Sequence, residues 1–239
     1  MVHAPIHLRC GRFSDSWEVP DNLDWLSYWE RIELGRFSHR GRRRAWLAGR
    51  WVSKQLIREN HPEFVEGLRC FSIRSMDEQF RPTRPKICLK QRELPYTLSI
   101  THSDTNFLVA LSTSAETKVG VDLCHLAPLP ASFLTNWFTD SERERIDQIS
   151  DGEEQRTKEV CRLWAAKEAI YKACNRGESF APRQVEVSWN TGPWTCRYYD
   201  NVWKDELRLK TWEVDGHVAV TATLSIPSNA LPITGVTHD

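Results

Sequence analysis

The chain has 239 residues, enough for one large domain or two small ones, and its 40% hydrophobic and 27% charged content is the balance expected of a soluble globular protein. The formal net charge is zero, and the apolar residues form no run near the 18 needed for a transmembrane helix. The start, MVHAPIHLRCGRF, lacks the apolar core of a signal peptide. Seven cysteines, odd in number and never in a CxxC, argue against a disulfide framework and a zinc site, so a reducing, cytoplasmic setting is expected.

A first strand is read at residues 6–10. The spacing of Leu23, Trp25, Leu26, Trp29 and Ile32 predicts a helix over Asp21 to Leu34. A stronger helix is predicted from Arg42 to Glu59, with Trp46, Leu47, Trp51, Leu56 and Ile57 on its apolar side and His61-Pro62 as its stop. Between Arg31 and Arg50 stand seven arginines and a single acid, Glu33. Residues 70–74 read as a strand, and the prolines of Arg81 to Lys86 predict a loop. Tyr96 to Ile100 and Phe107 to Leu111 read as strands joined by the turn 102–106.

Val119 to Leu123 is the next strand, followed by a Pro- and Leu-rich loop at 125–131. A short helix is expected from Phe133 to Phe138. Thr139 to Glu142 offers a capping box for a second helix ending near Ile149. A long helix is predicted from about Glu153 to Cys174, stopped by Asn175-Arg176-Gly177. The tail carries strand signals at 185–187, 195–199, 207–214 and 218–226. No internal repeat is read.

Two segments carry chemistry. WAAKEAIYK at 164–172 puts Trp164, Glu168 and Lys172 at i, i+4 and i+8 of a helix, on one narrow face. GVDLC at 120–124 ends a short apolar stretch on Asp122. Glu168 and Lys172 are also an ordinary i,i+4 ion pair, worth roughly 0.3–0.5 kcal/mol on a solvated face. If the fold brings Asp122 to that face, two carboxylates meet beside a lysine. That set suits a divalent cation together with a phosphate chain.

The pair resembles the signature of the Sfp-type 4′-phosphopantetheinyl transferases, a G-[VI]-D motif followed by a W-x-x-K-E-[AS]-x-x-K helix. Gly120, Val121, Asp122, Trp164, Lys167, Glu168, Ala169 and Lys172 match it. Leu98 to Ser103 resembles the family's strand ending in S-x-[ST]-H-[ST], and Trp46 to Arg50 with Lys54 resembles its N-terminal helix. The resemblance runs from roughly residue 40 to residue 225.

It implies an α+β fold of two similar α/β halves related by a pseudo-twofold axis, with the active site between them. The halves would be residues 1–116 and 117–239, and one chain would suffice as a monomer. It implies transfer of the phosphopantetheine arm of coenzyme A to a serine of an acyl or peptidyl carrier protein, dependent on Mg²⁺. Asp122 and Glu168 would hold the metal, Glu168 doubling as a candidate base. Lys172, and with it Lys167, would meet the phosphates. His102, Ser103 and basic residues of the first half (Arg43, Arg44 and Arg50) would grip the 3′-phosphate, with Arg84 and Lys86 as further candidates. Trp164 would pack.

One position departs. Many members carry a second carboxylate two residues after the aspartate, where this chain has Cys124, a soft and poor ligand for Mg²⁺. The alternative expectation is therefore a catalytically weakened relative that binds coenzyme A or a carrier. A nucleic-acid module built on Arg40 to Arg44 is disfavoured by the zero net charge and the absence of a reading motif.

Overall fold

The structure is a computed structural model and describes residues 5–12, 19–61, 67–103, 106–175, 177–188, 195–199, 201–203 and 206–226. Its mix of helix and sheet is the α+β class expected. The first strand, β1 (Ile6–Arg12), runs longer than the sequence suggests. The first helix, α1 (Tyr28–Gly35), starts later than predicted. Ser27 and Glu30 form a reciprocal capping box there, so the apolar residues before Ser27 pack without being helical. The helix α2 (Arg40–Asn60) buries Val52, Leu56 and Ile57 against β5 (Thr97–His102) and β6 (Asn106–Ser112).

The loop expected at 81–86 is instead part of a strand, β3 (Pro82–Leu89), between β2 (Phe71–Met76) and β4 (Arg92–Glu93). The prolines fit because β4 pairs only with Cys88 and Leu89, and because the β2–β3 register breaks between Arg74 and Met76. Pro82 and Pro85 thus sit where few ladder donors are needed.

The second half of the chain opens with β7 (Thr117–His125) and continues through α3 (Ala131–Trp137), α4 (Asp140–Asp147) and α5 (Glu153–Cys174). The strands β8 (Val185–Ser188), β9 (Thr195–Tyr198), β10 (Asn201–Trp203), β11 (Leu207–Val214) and β12 (His217–Ser225) follow. Part of the turn predicted at 102–106 and Arg176 of the helix stop lie outside the described residues.

The strand order repeats. β1-β6-β5 in the first half is matched by β7-β12-β11 in the second, and β2-β3-β4 by β8-β9-β10. The registers agree: Ser112 pairs with Ile6 and Thr97, as Leu224 pairs with Lys118 and Leu207.

A buried ion pair is duplicated as well. Lys54 lies 2.7 Å from Glu30 and donates to the Leu68 and Phe71 carbonyls, while Glu30 accepts the Ile73 amide. Lys167 lies 2.7 Å from Glu142 and donates to the Pro182 and Val185 carbonyls, while Glu142 accepts the Val187 amide. In sequence, Trp51-Val52-Ser53-Lys54-Gln55 runs parallel to Trp164-Ala165-Ala166-Lys167-Glu168. No internal repeat is read from the sequence, yet the strand order and this buried pair recur. The two segments differ at the site positions: Gln55 stands opposite Glu168 and, by strand register, Cys10 opposite Asp122.

β5 and β6 pack against β7. Leu108, Ala110, Val119, Val121, Leu123 and Ala219 bury a shared apolar layer. Above it, Thr97 Oγ1 donates to the Thr117 carbonyl, Ser99 Oγ accepts the Val121 amide and Thr101 Oγ1 donates to Asp122. The period-two spacing of these hydroxyls puts all three on one face of β5.

Candidate functional site

The site grows from the contact of β7 with α5. The helix is rich in alanine, carries Glu153 and Glu154 in its first turn and Lys172 in its last, and so suits both propensity and the helix dipole. Gly120 lets the strand touch it: a Cβ there would lie 2.0 Å from the Ala169 carbonyl oxygen and 2.6 Å from the Ala173 amide nitrogen. Two residues along the strand, and so on the same face, comes Asp122.

There the expected residues meet. Lys172 Nζ lies 2.7 Å from Asp122 Oδ1 and 3.4 Å from Glu168 Oε2, and it donates to the Val121 carbonyl at 3.2 Å. Asp122 is 5% exposed and also accepts from Thr101 Oγ1 at 2.8 Å. Glu168 and Lys172 are partly exposed, so the cluster opens to solvent on one side. Burial raises the Glu168 pKa, the Lys172 charge opposes that rise and Asp122 adds to it. For Lys172, burial lowers the pKa, but Asp122 and Glu168 together outweigh it and the net shift is upward. The result is an acidic pair sharing one firmly charged ammonium.

Trp164 packs, as expected, among Phe133, Trp137 and Phe180, with ring centroids 4.7, 6.3 and 5.8 Å away. Cys124 lies on the Asp122 face of β7 but is buried next to Cys161, and both thiols approach the His125 carbonyl. The hydrogen bond with Cys161, together with burial, pushes the Cys124 thiol well up, so it stays protonated. Among the described residues, no group of three or more His, Cys, Asp and Glu converges as a dedicated metal cage would. The donor set is two carboxylates, which fits a hard cation that keeps several waters and binds substrate phosphates.

Several expected residues lie elsewhere. Lys167 is fully buried and held by Glu142, away from the cluster of Asp122, Glu168 and Lys172. Arg50 is 4% exposed, engaged with Glu33 and Ser75 and stacked on Trp46, and so is committed to the interior. Arg84 turns to the end of α5, and Lys86 pairs with Glu93 on the surface at 2.9 Å. Arg43 donates to the Leu34 carbonyl at the end of α1, while Arg44 is exposed. His102 is exposed at the end of β5, and the Ser103 hydroxyl accepts the Asn106 amide.

Thr101 is the site residue the sequence reading missed. Its signal was the alternation Thr97-x-Ser99-x-Thr101 leading to His102.

Comparison with known proteins finds similarity over part of the chain. The model of the 4′-phosphopantetheinyl transferase superfamily matches residues 118–223. The protein slr0495 of Synechocystis sp. (strain ATCC 27184 / PCC 6803 / Kazusa), provisionally named a 4′-phosphopantetheinyl transferase, is 33% identical over 104 residues. That match covers 43% of this chain and 40% of slr0495, so the chain spans less than half of that relative.

Among solved structures, holo-[acyl-carrier-protein] synthase of Thermotoga maritima is 20% identical, with 46% of this chain and 64% of that one covered and a TM-score of 0.35. The Chronobacterium ammoniagenes ACPS-CoA complex is 21% identical, with 46% and 98% covered and a TM-score of 0.36. The stretch that matches the superfamily model, residues 118–223, is the one that holds Asp122, Glu168 and Lys172.

Proposed function

We propose that this protein transfers the phosphopantetheine arm of coenzyme A to a serine of an acyl or peptidyl carrier protein, as a cytoplasmic monomer of the Sfp-type branch. The observation that carries the reading is the ammonium of Lys172 set between Asp122 and Glu168, inside the stretch that matches the superfamily. Asp122 and Glu168 would hold Mg²⁺, which would polarise the phosphate oxygens when bound. Lys172 would neutralise charge as the carrier serine oxygen bonds to the β-phosphorus and the pyrophosphate bond breaks, adenosine 3′,5′-bisphosphate would leave, and the serine proton would pass to Glu168 or to a water it orients.

His102, Ser103, Arg43 and Arg44 remain as candidates to hold the 3′-phosphate. The two halves, 1–116 and 117–239, would be related by a pseudo-twofold axis with coenzyme A between them. The repeated strand order and the duplicated lysine–glutamate pair support that arrangement.

A second reading, a weakened relative that only binds coenzyme A or a carrier, rests on Cys124. Its thiol is directed to Cys161 and supplies no third hard ligand. The test is transfer from coenzyme A to apo carriers with Mg²⁺, comparing wild type with Asp122→Asn and Glu168→Gln. Each substitution should cost roughly 100-fold or more. Activity that survives both substitutions would refute the site, and a wild type that binds coenzyme A without transfer would establish the second reading.

A further inference from the structure

Arg84 reaches from β3, in the first half, to the last turn of α5, in the second. One terminal nitrogen, Nη2, lies 2.8 Å from the Lys172 carbonyl and 2.8 Å from the Ala173 carbonyl. A helix leaves its last four carbonyls without intrahelical partners. In α5 the Tyr171 carbonyl takes the Asn175 amide, and Arg84 takes the next two. A fixed positive charge at that end also complements the helix dipole. The guanidinium is half-buried, and its Nε makes no hydrogen bond among the described atoms.

The consequence lies in which residue is held. The carbonyl of Lys172 is gripped by Arg84 while its ammonium gathers Asp122 and Glu168. β7 also presses this turn, through Gly120 against Ala169 and Ala173. The last turn of α5 thus touches both a strand of its own half and an arginine of the other.

We infer that Arg84 is a positioning residue: it ties the first half to the end of α5 and so sets the place of Lys172 relative to Asp122 and Glu168. The inference rests on the transferase reading for its kinetic consequence, but not for its structural one.

The experiment compares wild type, Arg84→Ala and Arg84→Lys in the full chain, with three readouts. These are kcat and KM for coenzyme A, coenzyme A binding by calorimetry, and amide hydrogen exchange over residues 169–174. For Arg84→Ala we expect kcat to fall roughly 10- to 100-fold, the range for removing a supporting group around a site. Coenzyme A affinity should stay within about threefold, and exchange should quicken only in the last turn of α5. Added ethylguanidinium should restore part of kcat and of the protection, which a general loss of stability would not allow. Arg84→Lys, which keeps the charge but loses the planar fork, should fall between, and it carries the test if Arg84→Ala does not fold.

Unchanged kcat and unchanged exchange would overturn the inference. So would a loss of coenzyme A affinity with kcat intact, which would make Arg84 a phosphate ligand. If the wild type transfers nothing, the functional reading fails on its own, and the exchange data with guanidinium rescue still decide the role of Arg84.

Discussion

Replacing Gly120 by alanine should damage both the fold and the site. The added Cβ would sit 2.0 Å from the Ala169 oxygen, 2.6 Å from the Ala173 nitrogen and 3.0 Å from the Ala169 carbonyl carbon. Comfortable contact is about 3.5–4 Å, so β7 and α5 must part by roughly 1.5 Å. The obstructing atoms are helix backbone, which cannot swing aside as a side chain would.

Overpacking costs typically 1–3 kcal/mol, and a backbone clash belongs at the upper end, about 3 kcal/mol. For a chain of this size that corresponds to a Tm lower by roughly 6–12 °C. Asp122 travels with the strand, so its 2.7 Å contact with Lys172 opens and transfer should fall, since about 1 Å of misplacement can cost about 100-fold. Gly35, whose Cβ would meet nothing within 4 Å, is the control, and Gly35→Ala should be neutral or slightly stabilising. Calorimetric melting and a transfer assay on both variants decide it. If Gly120→Ala melts within about 2 °C of wild type with full activity, the close approach of β7 to α5 is wrong.

Three further outcomes are expected. Lys167→Ala strands the buried Glu142 carboxylate, and Lys54→Ala strands Glu30, so each should cost about 3–5 kcal/mol in urea unfolding. Lys158→Ala, at an exposed pair, should leave the urea midpoint essentially unchanged. A stable Lys167→Ala with weakened coenzyme A binding would instead return Lys167 to the phosphate site. The raised pKa of Glu168 means that its favourable contribution is complete below the unfolded carboxylate range and lost as pH rises through its folded value. In EDTA, Glu168→Gln should therefore be more stable than wild type near pH 7 and lose that advantage toward pH 4; equal melting at both would contradict the burial argument. Cys124→Ser should keep transfer within about threefold, because the thiol contacts Cys161 and the His125 carbonyl, and a large loss would mark it as a ligand.

The long helix was legible to the residue, because alanine-rich periodicity between Gly152 and Asn175 leaves little choice of ends. Helical spacing put Glu168 and Lys172 on one face, while the approach of Asp122 was implied only by the family resemblance. The sorting of Lys167 from Lys172 was available but unused: five residues of helix put them about 140° apart, one facing the core and one the site. Arg50 was not legible, since its partners Glu33 and Ser75 come from other elements and only the fold joins them. The strand through Pro82 and Pro85 was hidden because propensity disfavours proline, while a strand with few pairing demands tolerates it.

The central claim is tested most directly by intact-mass measurement of apo carrier proteins incubated with this protein, coenzyme A and Mg²⁺. The account predicts a gain of one phosphopantetheine arm, lost with Asp122→Asn and with Glu168→Gln. A carrier panel left unchanged by the wild type, or modified equally by both variants, would contradict it.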